Sequence, residues 1–536
     1  MTSLLRRRKA RRTTAALLAC ATATSVGLGA STLTGCSAGS TATQVGRLSA
    51  SVVVGTTGAP ASLDFTTTSG AAIPTALMGN IYEGLVRINE GGKVEPLLAQ
   101  SWDLSEDRRT YTFHLREGVT FSNGSPFDAE TAKFSIDRVR GDAWTNGIKS
   151  WMDVVENTEV IDPLTLVVTL ERPSAEWLWR MGTLLGAMMS PDAVDKLATN
   201  PVGTGPYTVT HWAVGESISF AARSDYWGPQ PKNDAAAIRY FSDAVAATNA
   251  LQSGDIDVVW GMQAPELLDT LPEDISVEVG TTNSEVLLSM NNRRAPFNDV
   301  RVRQAVFHAV DRQAVINTVW EGYGTDTGGV PAPPTDPWYF EADDYPYDPQ
   351  RARELLAEAG HDPETNPVKV TISVPSLPYA QATSELVYSQ LHEVGIQVSL
   401  ESTEFPAVWL NKVLRNHDYD MSIIGHVEAR DIPNLFGDPD YYLGFDNADA
   451  REALQNADNA ETEEEQVRYM REAMKYILAD AAADTLMNLP NIVLKAPGVD
   501  GLKPNIVTEG LALYGISHEE KGAGKDKASS NAGGER

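Results

Sequence analysis

Along this chain the spacing of apolar residues switches repeatedly between two and three-to-four, and that alternation constrains the fold more than any other feature. In YTFHL, Tyr111, Phe113 and Leu115 share one face, as do Leu164, Leu166, Val168 and Leu170 in LTLVVTL. Both segments read as half-buried strands. After the first comes FSNGSPF, where Asn123-Gly124 offers the positive φ angles of a tight turn. Helical spacing follows in DVRVRQAVFHAVDR, with Val302, Ala305, Val306, Ala309 and Val310 inward and Arg301, Arg303 and Gln304 outward. Val467, Met470, Met474, Ile477 and Leu478 form a second helical stripe. Strands interleaved with helices predict an α/β fold with mixed sheets. About 480 folded residues exceed a single core, so two or three lobes are expected.

The N-terminus has a different character. Arg6, Arg7, Arg8, Lys9, Arg11 and Arg12 precede the small, apolar run AALLACATATSVGLGASTL, which reads as a secretion signal. Leu33, Thr34, Gly35 and Cys36 resemble a bacterial lipobox, which implies cleavage before Cys36 and diacylglycerol on its thiol. Two acyl chains hold a protein on a membrane where one holds it only reversibly. Cys20 would leave with the signal (1–35), so the mature chain has one cysteine and no internal disulfide. Residues 36–47, small and polar, suit a tether. From His518 onward almost nothing is apolar, which predicts a disordered tail over 518–536.

Removing the first 35 residues, with six positive and no negative charges, moves the formal net charge from -29 to -35. Nucleic acid is a poor partner for such a surface, because that binding rests on cationic side chains neutralising phosphates. No second apolar segment reaches bilayer-spanning length. The chain carries no SxxK, Walker loop or HExxH, and its 8 histidines are scattered. An enzyme is therefore not expected, nor a cofactor or a resident metal.

Four blocks, in order, resemble the solute-binding lipoproteins of family 5, receptors that deliver peptides, dipeptides or nickel complexes to ABC importers. They are NIYEGLVRINEGGKVEPLLAQSWDLSEDRRTYTFHLREGVTFSNGSPFDAET; PVGTGPYTVTHW with RSDYWG; LQSGDIDVV; and LSMNNRRAPFNDVRVRQAVFHAVDRQAVI. The resemblance covers roughly residues 50 to 515. It implies a periplasmic-binding-protein-like α/β fold, with two lobes, a third subdomain and a cleft between the lobes. Domain I would comprise 48–74, 201–284 and 483–517, domain II 75–200, and domain III 285–482. It further implies a monomeric receptor, held by its lipid at the outer face of the cytoplasmic membrane, that closes on a solute and engages ABC permease subunits.

Peptide receptors of this family pair the peptide ammonium with an aspartate in a "GW-x-x-D-x-x-DP" context. The matching stretch here is YDMSIIGHVEARDIPNLF, with Gly425 and Pro433 in register, His426 in place of Trp and Ala429 in place of the first Asp. The carry-over points to Asp431, one position before the second Asp, and Glu428 could take the same role. His426, Glu428 and Asp431 also offer one nitrogen and two oxygens, so a metal chelate is the alternative ligand. Tyr379 and Tyr82 are further cleft candidates, since family members often line the cleft with aromatics.

Overall fold

Ten strands form one continuous mixed sheet in the computed structural model, which describes residues 51–518. Across the sheet they run Gln397–Thr403, Lys369–Pro375, Met421–His426, Ser276–Met290, Ala483–Lys495, Val258–Val259, Ser51–Thr56, Ala235–Tyr240, Ser217–Ala222 and Tyr207–Ala213. The two longest, Ser276–Met290 and Ala483–Lys495, pair antiparallel, with Ser276 opposite Lys495 and Ser289 opposite Ala483. Their register breaks between Thr281 and Glu285. Beyond the break, Val286, Leu287, Leu288 and Met487 enter one hydrophobic core, while Val493 enters another. Extra residues on one strand of a pair unpair the ladder and bend it, so the ribbon crosses from lobe to lobe at its irregular point.

The first lobe gathers Val52, Val54 and Ile238 of the large sheet into one core with Tyr111, Phe113, Leu115, Leu166, Val168 and Leu170. The last six belong to a separate antiparallel sheet ordered Ala99–Leu104, Thr110–Leu115, Thr165–Leu170 and Val155–Asp162. Strict alternation of buried residues in Thr110–Leu115 matches the expected period of two. Close backbone approach tightens this lobe, for a Cβ at Gly203 would lie 1.9 Å from the carbonyl oxygen of Ile81. The second lobe packs helices Val300–Ala309, Pro378–Glu393 and Glu463–Ala479 around the other half of the sheet. Met470, Met474, Ile477 and Leu478 are buried as the stripe predicts, and Val467 is partly so.

Three local expectations are corrected. Arg303 does not point outward; it is buried because its guanidinium donates to the carbonyls of Phe297 and Asp480, at 2.6, 2.7 and 2.9 Å. In the Asn123-Gly124 turn only Gly124 has a positive φ, of 85°. Asn123 contributes a side-chain acceptor for the Ser125 amide instead. His518 is not part of a tail, since it pairs with Val499 in a short antiparallel strand. The signal, Cys20, Cys36, the tether and residues 519–536 lie outside the described residues. Among the described residues no helix is long and apolar enough to cross a membrane.

Candidate functional site

The strand Met421–His426 ends at the boundary between the lobes, and the chain turns sharply there before the short helix Ile432–Phe436. The turn needs Arg430 at φ 56°, a conformation costing a non-glycine residue about 1–3 kcal/mol. Two groups from the first lobe hold it. Arg180 donates from Nη1 to the carbonyl of Ala429 and from Nη2 to that of Arg430, both at 2.6 Å. Glu176 accepts from Arg430 Nη1 at 3.2 Å and from Gln466 Nε2 at 2.5 Å. The Arg180 guanidinium also lies 3.8 Å from the centre of the Trp151 ring, while Arg430 sits over Trp179 and Trp338. Nearby, Asp458 of the second lobe receives Ser174 Oγ and Arg172 Nη1 from the first. The lobes therefore meet through charge-assisted hydrogen bonds, which are about twice as strong as neutral ones.

His426, Glu428 and Asp431 do come together here. His426 Nε2 lies 2.8 Å from Tyr442 Oη, with the two rings nearly parallel at 5.8 Å. Its Nδ1 is 3.8 Å from Asp431 Oδ2. Burial pushes the imidazole down to about 4, so near neutral pH it is uncharged and that approach is no ion pair. The Asp431 carboxyl is buried and caps no amide of the helix it precedes, which leaves it free for other work. Burial raises its pKa well above the usual range, Glu428 adds to this, and Arg180 opposes it. Glu428 shifts upward for the same first reason, but its surface is open enough for water to screen much of the effect. Among the described residues no group of three or more His, Cys, Asp or Glu is placed to hold a metal ion by itself.

Tyr379 lies against the same strand end. Its Oη accepts from the Gly425 N–H at 2.9 Å, and a Cβ at Gly425 would come within 3.2 Å of that oxygen. Tyr82 is elsewhere, fully buried in the first-lobe core with its ring 5.0 Å from Phe65. A cavity of about 920 Å³ opens between the lobes, lined among others by Trp151, Trp338, Trp409, His426, Glu428 and Asp431. Its size and its aromatic walls with a few polar groups are those of a small-molecule site.

Sequence reasoning missed Arg180, Glu285 and Asp336. Glu285 stands opposite His426 in the strand register, so both side chains leave the sheet on one face. Its signal was a lone acid ahead of the apolar run VLLSM. Asp336 comes from an irregular segment, and burial raises its carboxyl to about 7. Unfolded, it would titrate near 4. Between about pH 4 and 7 the folded protein thus retains a proton that the unfolded chain has lost, and stability falls with rising pH by up to about 1.4 kcal/mol per unit. Partial exposure of Asp336 reduces this. Thermal unfolding of Asp336→Asn, followed from pH 4 to 8, should show a shallower decline than the parent; parallel curves would contradict the shift.

Comparison with known proteins agrees with this geometry. Residues 93–448 match the family described as bacterial extracellular solute-binding proteins, family 5 Middle. The glutathione-binding protein GsiB of Escherichia coli (strain K12) is 31% identical over 339 residues, covering 61% of this chain and 65% of its own length. The match thus spans just under two thirds of that relative. Among solved structures, the periplasmic binding protein DppA from Helicobacter pylori, in complex with the peptide STSA, superposes with a TM-score of 0.74. It is 26% identical, with 88% of this chain and 98% of that one covered. The binding protein AgaA from A.tumefacien R10, in complex with agropinic acid, gives 0.76 at 25% identity over 88% and 99%. With its two-lobed mixed α/β fold, this chain belongs to the family 5 extracellular solute-binding proteins.

Proposed function

We propose that the protein is an extracytoplasmic receptor that captures peptides or similar small organic solutes between its lobes and presents them to an ABC permease. The observation that carries this reading is the inter-lobe cavity, with Asp431 and Glu428 on its wall and Arg180 reaching across to the same loop. A cavity that closes over a ligand needs a hinge, and the ribbon formed by Ser276–Met290 and Ala483–Lys495 changes register where it passes between the cores. Domain limits near 284 and 483 would place both crossings within that ribbon. The ligands named for the relatives, a peptide, agropinic acid and glutathione, are all small organic solutes. The role is binding without turnover.

Asp431 is the proposed partner of a ligand ammonium. A panel of di- to tetrapeptides should raise the melting temperature and reduce the radius of gyration in small-angle scattering. For a binding peptide, Asp431→Asn should weaken affinity by about 1.5–3 kcal/mol, the worth of a charged hydrogen bond. Affinity equal to the parent's would move the ammonium site elsewhere, and neither stabilisation nor compaction with any peptide would remove the receptor reading. The proposal includes a lipid anchor at Cys36, supported by Leu33, Thr34 and Gly35 before it. A Cys36→Ser variant should then appear in the medium rather than in the membrane fraction.

A further inference from the structure

Carboxyl groups crowd the cleft. Its wall carries Glu176, Glu428 and Asp431 beside Arg430, and Glu285, Asp336, Glu509 and Arg180 lie close enough to act on these groups. Both arginines are already committed. Arg430 binds Glu176 Oε1, Arg180 Nε lies 3.8 Å from Glu176 Oε2, and the two Nη atoms of Arg180 are taken by backbone carbonyls.

Glu285 is the least provided for. Only 3% of its surface is exposed, and its Oε2 accepts no hydrogen bond. The charged groups acting on it are Asp431 and Asp336, both acids. Asp336 Oδ2 is likewise shut from solvent, though Arg430 and Arg180 act on this carboxyl and favour its charged form. His426, directly across the ladder, gives no countercharge, because burial keeps its imidazole uncharged near neutral pH. Folded proteins keep such groups paired or hydrogen-bonded, and a buried acid without a donor is missing its partner. If Asp431 takes a ligand's terminal ammonium, Glu285 remains without a countercharge.

We propose that Glu285 and Asp336 form a cation subsite beside Asp431, and that the solute carries a second positive charge, an ammonium or guanidinium, in addition to its amino terminus. The inference rests on the solute-receptor reading and adds the charge class of the solute. Such a group brings at least three donors, one of which would meet the unpartnered Glu285 Oε2.

Titration calorimetry on the purified protein with Ala-Ala-Ala, Glu-Ala-Ala, and the tripeptides carrying one lysine at each position tests this. The preferred lysine peptide should bind at least about 10-fold more tightly than Ala-Ala-Ala, with Glu-Ala-Ala weakest. Glu285→Gln, which keeps the side-chain shape, should shrink that preference to within about 3-fold while leaving Ala-Ala-Ala affinity in the same range. Asp336→Asn should act in the same direction and serves if the first variant does not fold. Equal binding of lysine and alanine peptides overturns the inference and leaves the receptor reading intact, as does a preference that survives both substitutions. Binding of no peptide of any charge counts against the peptide reading itself. In that case 1,4-diaminobutane decides: binding that Glu285→Gln abolishes supports the subsite, and no binding overturns it.

Discussion

An Arg180→Met variant is expected to lose about 3–5 kcal/mol of the free energy holding the lobes together, the range for breaking a buried charged network by removing one partner. Methionine fills much of the same space, so the loss isolates the fork of donors. The carbonyls of Ala429 and Arg430 would each lose a charged donor, and Trp151 the cation above it. Arg430 would then keep its left-handed backbone with Glu176 and the Trp179 ring as its remaining first-lobe partners. Small-angle scattering should show a larger radius of gyration, and differential calorimetry a lower first transition, together with weaker solute binding. Lysine at this position should not rescue, because a single ammonium cannot reproduce two diverging bonds from a planar group. A variant with the parent's radius and melting profile would show that the clamp does not hold the lobes.

Asp484→Ala should be nearly as costly, and for a reason inside the second lobe. Asp484 is fully buried where the strand Ala483–Lys495 begins, with Oδ1 3.2 Å from Arg312 Nη1. The pair is uneven. Burial pushes the Asp484 carboxyl up to about 6 in spite of Arg312, whereas for Arg312 the attraction of Asp484 and Asp326 outweighs its own burial. The carboxylate therefore bears the desolvation, and the net worth of the intact pair is modest. Removing the acid strands the guanidinium with Asp326, 3.2 Å away and a third exposed, and the Tyr345 carbonyl at 2.9 Å. A loss of about 3–5 kcal/mol is expected, toward the lower end because Asp326 compensates in part. Urea denaturation would show it as a lower midpoint with unchanged slope, and Asp484→Asn should recover part of the difference.

What the sequence disclosed and what it hid divide by distance along the chain. Tyr111, Phe113 and Leu115 announced their strand because alternation is local, and the stripe from Met470 to Leu478 announced its helix for the same reason. Arg303 defeated the same reasoning. A helical wheel puts a charge outside, yet three bonds to carbonyls, one to that of nearby Phe297 and two to that of distant Asp480, made the interior acceptable. His426, Glu428 and Asp431 could be found together because they lie in one short segment. Glu285, Asp336 and Arg180 could not, since only strand register and lobe contact bring them to that segment. The long strand Ser276–Met290 was also hidden: its first half is largely exposed and its second half wholly buried, so neither period runs through it. Tyr82 shows the converse error, an aromatic in a recognisable block that the fold uses as core.

The ribbon that joins the lobes also fixes the order in which this chain assembles. Val52 and Val54 share a core with Val493, Val499, Leu502, Leu511, Leu513 and Ile516, so the first lobe cannot finish until a segment hundreds of residues later has arrived. The second-lobe core, by contrast, draws all its buried members from one uninterrupted stretch between Val286 and Met487. Closing a long loop before its contacts reward it is slow, and contacts within a shorter stretch form sooner. In hydrogen-exchange pulse labelling during refolding, the amides of Met421–His426 should gain protection ahead of those of Ser51–Thr56. The N-terminal strand, made earliest, is thus among the last parts of the sheet to find its neighbours.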